Sequence, residues 1–350
     1  MLQLEKSENK LIQIKPEQYT DLYNGVLDES ILSTEILVLR DHLGGFDKMM
    51  HTNVLDYIES IGFDKVIGIE YIVDYRLKQA YKNFTLRFAG DNTPHFALLE
   101  SLSEYNIHPI IDYKNFICSF NRKPHVSRQI LVAFLNNQGY FDSNYCSKCF
   151  AYNNSDVNEQ LEGFDMSDNE MRLFRKFLNN NKVFCESTIK FTPDNQQHLD
   201  PCYGTGYYPV GDIANYNISN VILLEDKLTQ SFIHIVSETI ATGYYPFITE
   251  KFLYSVVTRG LFLSYAQPLW HDYLEKYYGF KKYNKIFDYG FDKIENPIKR
   301  LVRLLEMISK FANLSVDDWH DLYHMEMDTI EFNYDHYFSK RYLHNLKPHE

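Results

Sequence analysis

The chain has 350 residues, which is room for two domains of roughly 100–200 residues each, and its 45% apolar content can fill two cores. A net charge of −12 argues against coating nucleic acid or an anionic membrane by bulk electrostatics, and leaves room for a local basic groove. No run approaches the roughly 20 apolar residues of a membrane span. MLQLEKSENKL lacks the order of a secretory signal, and five cysteines without one predict reduced thiols in a cytoplasm.

Ile36 to Leu39 and Val66 to Ile69 are short apolar runs rich in β-branched residues. Phe84 to Phe88 alternates, and Ile107 to Ile111 is apolar again. Amphipathic stretches lie between them, around Val54 to Ile61, Tyr75 to Tyr81 and Phe96 to Tyr105. Strand alternating with helix predicts a doubly wound parallel sheet, here an N-terminal α/β domain over residues 1–113.

A second α/β pattern starts at Phe116-Ile117-Cys118-Ser119-Phe120 and predicts a further domain over residues 114–312. The polar loop NRKPH follows, then an amphipathic helix from Val126 to Asn137 closed by Gly139. Residues from about 150 to 180 read as helical, with Met171, Phe174 and Phe177 on one face. Lys190 to Asn220, rich in Asp, Asn, Gly, Pro and Tyr, reads as a long loop.

Phe232 to Val236 is predicted as a strand, and Thr249 as the N-cap of a helix that Gly260 ends. Leu261 to Leu263 is the next strand, and Pro268 opens a helix closed by Gly279. Asn296-Pro297 is an N-cap with proline at N1, ahead of helically spaced Ile298, Leu301, Leu305 and Ile308. Ser315 opens a capping box for one last helix, so residues 313–350 are expected to be a helical extension packing back on the N-terminal domain.

Ligands of open α/β sheets bind beyond the carboxyl ends of the strands, so the loops after the strands carry the chemistry. The first is Asn121-Arg122-Lys123-Pro124-His125, with Arg128 in the first turns of the following helix. Cations at a helix N-terminus add to its dipole and free N–H groups and suit a phosphate; a solvated basic turn accounts for the same residues. The second loop reads GYYPFITEKF. Thr249 caps a helix and sets Glu250 and Lys251 in its first turn, a carboxylate able to accept two sugar hydroxyls beside a cation for phosphate. Tyr244 and Tyr245 offer flat surfaces for a base or sugar ring, and Pro246 stiffens the loop. A capped helix behind a chance aromatic loop is the alternative.

S-E-T-x-x-T-G-x-x-P-F-I-T-E-K-F, from Ser237, resembles the carboxyl-domain signature of fucosyltransferase-like glycosyltransferases, above all viral and bacterial relatives with an E…FITEK loop. F-I-C-S-F-N-R-x-x-x-x-x-R-x-x-L, from Phe116, is similar to that family's first strand, loop and helix of the donor domain. The likeness covers roughly residues 114–312 and weakens to fold level before them. It implies the GT-B fold, two Rossmann-like domains facing across a cleft with the donor in the second and the acceptor in the first. It further implies that Arg128 and Arg122 meet the donor pyrophosphate, that Glu238 and Glu250 bind nucleoside or sugar hydroxyls, and that Lys251 contacts phosphate. Phe247 stands where the family usually has Tyr, which leaves UDP- and GDP-sugars both open as donor.

The chain contains no Asp-x-Asp, so no metal-anchored donor and no cofactor is expected; Arg, Lys and helix dipoles would neutralise the leaving diphosphate. Transfer needs a base for the acceptor hydroxyl, and Asp41 and Asp91 are the candidates, with His42 and His95 beside them. Each also reads as a helix cap. Cys146 and Cys149 have x₂ spacing, but Cys185, Cys202 and His198 lack the matching half of a zinc site, so free thiols are expected. The resemblance leaves a glycan, a protein and a hydroxymethylated base of viral DNA open as expected acceptors, and no membrane span is expected. A non-catalytic sugar-nucleotide-binding protein that keeps the fold is the second reading.

Overall fold

Two parallel sheets organise the chain. The computed structural model describes residues 11–14, 36–39, 55–70, 83–89, 99–100, 102, 112–121, 126–148, 166–181, 186–187, 221, 224–238, 241, 248 and 251–343. These fall into two units, one within residues 1–92 and one within residues 93–345.

The first unit carries β1 (Leu11–Ile14), β2 (Ile36–Leu39), β3 (Val66–Glu70) and β4 (Thr85–Ala89) in the order β1-β2-β3-β4, every pair parallel. Leu37 and Ile67 are fully buried in register with each other, and Leu55 and Ile58 of the helical residues 55–60 are buried as well. β2 to β4 fall on the predicted apolar runs. β1 does not; LIQI is only four residues long, with Gln13 interrupting its apolar run.

The second unit is built on β5 (Asn115–Asn121), β6 (Tyr145–Lys148), β7 (Glu186–Ser187), β8 (Ser231–Ser237) and β9 (Leu261–Tyr265). Their order is β7-β6-β5-β8-β9, with only β7 antiparallel. β8 and β9 are buried at every position, the near-continuous apolar run of a parallel strand covered on both faces.

The helices are α1 (Val126–Asn137), α2 (Tyr140–Ser143), α3 (Asp168–Asn180), α4 (Lys251–Val257), α5 (Trp270–Tyr278), α6 (Pro297–Ser309), α7 (Val316–Met325) and α8 (Met327–Phe338). Local signals set several of their ends. Ser167 and Ser315 close capping boxes with Glu170 and Asp318, and Asn296 accepts from the Ile298 and Lys299 N–H groups at 3.0 Å ahead of Pro297. Gly279 takes φ 79 behind α5, as its place after the helix requires.

On one side of the second sheet, Cys118 packs with Leu224 and Leu228, and Trp319 of α7 stacks on Phe232 at 5.6 Å with the rings 6° apart. Phe252 of α4 meets Phe262, Trp270 and Phe280 edge-on or tilted. Residues 316–338, expected as one helix, form two that break at Glu326. Their polar contacts run to Arg259, Tyr278, Lys281 and Lys285, while Tyr342 and Lys340 beyond them bond Glu100.

Candidate functional site

Strand order decides where a ligand can bind. β5 is followed in sequence by β6 on one side, and β8 and β9 then continue on the other, so the direction of winding reverses between β5 and β8. Chains leaving adjacent strands in opposite directions open a crevice at their carboxyl ends, the usual ligand position in such sheets.

The residues at this crevice come from sequence positions more than a hundred apart. Ser127, in the first turn of α1, donates its hydroxyl to the Glu238 carbonyl at 2.9 Å. Glu238 follows β8, and its N–H extends the ladder to the Tyr265 carbonyl at 3.1 Å. Arg128 follows Ser127 and is 3% exposed, while Glu238 is 0% exposed. The first turn of α1 has no acidic residue, so a buried guanidinium there adds to the positive end of the helix dipole. Buried charge is tolerated only with compensation, and Glu238 brings a carboxyl group to the same strand ends. Asn121 at the end of β5 donates to the Ser119 hydroxyl at 3.1 Å, which keeps that strand end polar and buried.

A second set of polar contacts reaches Ala241 after β8 and Ala266 after β9. Arg300 of α6, 1% exposed, donates from Nε to the Ala266 carbonyl at 2.9 Å, from Nη1 to Glu295 at 2.9 Å and also Ile294, and from Nη2 to Ala241. Burial draws the guanidinium down from its ordinary value against Tyr265 and Asp292, and an arginine stays charged through such a change. Asp292 accepts the His271 backbone N–H at 2.9 Å and so caps α5, whose own N-cap position holds Leu269 with no side-chain bond. The His271 Nδ1 lies 3.1 Å from Asp292, and its Nε2 accepts the Ser264 backbone N–H at 3.0 Å. That N–H belongs to the last strand of the sheet order, so His271 satisfies an edge donor. With Nε2 taken by the backbone and the Ser264 hydroxyl unpaired, Ser264, His271 and Asp292 make no nucleophile relay.

Of the residues expected from sequence, Arg128 and Glu238 are both buried, with Ser127 next to Arg128 bonding the Glu238 carbonyl, and Lys251 opens α4 with its side chain partly exposed. Ile248, inside the FITEK motif, is buried. Asp41, Asp91, Arg122, Tyr245, Thr249 and Glu250 lie outside the described residues, as do His42 and His95. Cys118 and Cys146 are buried and in no disulfide, and burial pushes the Cys118 thiol up; Cys149 lies outside the described residues. Among the described residues no cluster of His, Cys, Asp or Glu is arranged to hold a metal, and no helix is long and apolar enough to cross a membrane.

Sequence reasoning missed Arg300, Asp292 and His271. Each sits in an ordinary amphipathic or polar context, and its partners lie up to 59 residues away. No protein-family model, curated protein or solved structure matches the chain.

Proposed function

We propose that this protein is a glycosyltransferase of the GT-B type, resembling the fucosyltransferase-like family, that moves a sugar from a UDP- or GDP-sugar to an acceptor hydroxyl. One observation carries the reading. The winding of the second sheet reverses between β5 and β8, and the two loops that resemble the family's donor motifs leave those two strands. A diphosphate over these strand ends would meet the amino end of α1 and Lys251, with the buried Arg128 charge adding to the positive potential there. Charge developing on the leaving diphosphate is then stabilised by fixed cations and dipoles, and Asp41 or Asp91 remains the proposed base for the acceptor hydroxyl. Glu238, being fully buried, acts in this reading by holding the strand end; Glu250 is the carboxylate proposed to reach the sugar hydroxyls.

Titration of the full chain with a panel of UDP- and GDP-sugars tests the proposal. At least one donor is expected to bind, and Lys251→Ala to weaken it about tenfold to a hundredfold through loss of a charge-assisted contact of roughly 1.5–3 kcal/mol. Unchanged affinity in Lys251→Ala, or no binding of any donor by the parent, overturns the reading. Nucleotide release without acceptor separates a transferase from a pure binder, which would release none. Turnover is expected to survive EDTA, and activity lost to EDTA and restored by manganese would contradict the metal-free arrangement.

A further inference from the structure

We propose that Arg300 is a positioning residue for the donor loop. The inference rests on the function proposed above and extends it to a side chain remote from both donor motifs in sequence. Ala241, which accepts from Nη2, lies three residues after Glu238 and ten before Lys251, inside the segment that resembles the donor signature. Ala266, which accepts from Nε, is the first residue after β9. One planar group therefore holds the exits of two neighbouring strands at fixed separation, and its Nη1 ties both to the Ile294 and Glu295 carbonyls at the start of α6.

The chemistry is specific to arginine. Four carbonyls in different directions match the fan of N–H groups on a guanidinium, and an ammonium with three donors on a single atom cannot span them. Every hydrogen-bond acceptor named around Arg300 is an uncharged carbonyl, although Asp292 acts on it electrostatically. Packing alone would not require a full charge at this depth, since apolar residues of similar volume serve buried positions at least as well. A caged cation beneath the strand ends does two things. It holds Ala241, ten residues before Lys251, and it adds positive potential where a diphosphate would lie.

Arg300→Lys keeps the charge and loses the fan, whereas Arg300→Met loses both. Glu326→Gln serves as the stability control, because its Oε1 accepts the Lys285 N–H at 2.5 Å in a separate part of the unit. Donor affinity and melting temperature are measured for all three, with hydrogen exchange on Arg300→Lys. Arg300→Lys is expected to bind the donor at least about tenfold more weakly, Arg300→Met more weakly still, and Glu326→Gln as the parent does even where it melts lower. Exchange in Arg300→Lys is expected to rise in peptides covering 238–251 and 264–269 and to stay unchanged in β5. If Arg300→Lys binds donor like the parent, or its exchange rises uniformly, the positioning role is wrong while the transferase reading stands. If the parent binds no nucleotide sugar, the transferase reading fails and the donor role of Arg300 falls with it.

Discussion

His234 stands in the middle of β8 and is 2% exposed. Its Nε2 donates to the Leu228 carbonyl at 2.8 Å and its Nδ1 accepts from the Ser255 hydroxyl at 2.8 Å, so both ring nitrogens are used by the neutral form. Burial lowers its pKa from 6.5 to about 4. The unfolded chain therefore takes up the proton first as pH falls, and stability present above pH 6.5 is lost between there and about 4. The full loss is on the order of 3 kcal/mol. His336 is lowered too, chiefly by burial, and adds in the same direction. The urea midpoint is expected to drop from about pH 7.5 to about pH 5, and His234→Gln to flatten that slope in part. An equally steep slope in His234→Gln would show that other groups carry it.

The same ring dictates Gly260. A Cβ there would sit 2.1 Å from His234 Cε1, on a buried ring held at both nitrogens by Ser255 and Leu228. The sequence suggests Gly260 as the helix terminator, yet the left-handed residue behind α4 is Arg259, at φ 53. Gly260 is glycine for close packing against an imidazole, a reason that no local pattern reveals. Gly260→Ala is expected to destabilise by about 1–3 kcal/mol in denaturant, with most of that loss recovered in a His234→Ala background. Additive effects would mean that the contact is not the cause.

At the level of elements, α7 and α8 hold the segment after α5, and the residue Arg259 behind α4, through side chains that bond backbone. Asn333 accepts the Lys281 N–H at 2.7 Å and donates to the Lys281 carbonyl at 2.9 Å, in the manner of a strand neighbour. Glu326 accepts from Lys285, His336 meets the Tyr278 carbonyl, and the Tyr323 hydroxyl donates to the Arg259 carbonyl at 3.1 Å. Glu326 is fully buried at the break between the helices, so one residue closes α7 with its backbone N–H on the Tyr323 and His324 carbonyls and grips the segment with its carboxylate. Asn333→Ala leaves two backbone groups unpaired and is expected to cost about 1–3 kcal/mol, against about 1 kcal/mol for removing the α6 cap with Asn296→Ala. Thermal unfolding of the two variants gives the comparison, and Asn333→Ala melting above Asn296→Ala would reverse the ranking.

These two residues also mark the limit of what sequence reveals about elements. The caps at Asn296 and Ser315 were legible because donor and acceptor lie within three residues of each other. The cap that Asp292 gives α5 spans 21 residues, and the Glu326 bond to Lys285 spans 41. Such pairs are made by tertiary packing, so a reading of local pattern finds the helix and misses what fixes its end.

Across the whole molecule, the two α/β units were legible because parallel strands are continuous apolar runs separated by helical periods. β6 was missed because YCSK alternates too briefly to stand out from a loop. Strand order was not legible either, since sequence spacing does not say on which side of β5 the chain continues. That order makes a spatial claim which the motifs alone do not. The reversal sits in the second unit, whereas the described strands of the first run β1 to β4 without one. Under the proposed function, a bound donor should therefore slow hydrogen exchange at the start of α1, at the end of β8 and at the opening of α4. Exchange in residues 36–39, 55–70 and 85–89 should stay as in the free protein when donor is added without acceptor. Measured on the full chain with a saturating UDP- or GDP-sugar, protection confined to residues 11–89 would move the donor to the first unit. The resemblance of the two loops after β5 and β8 would then be without consequence for binding.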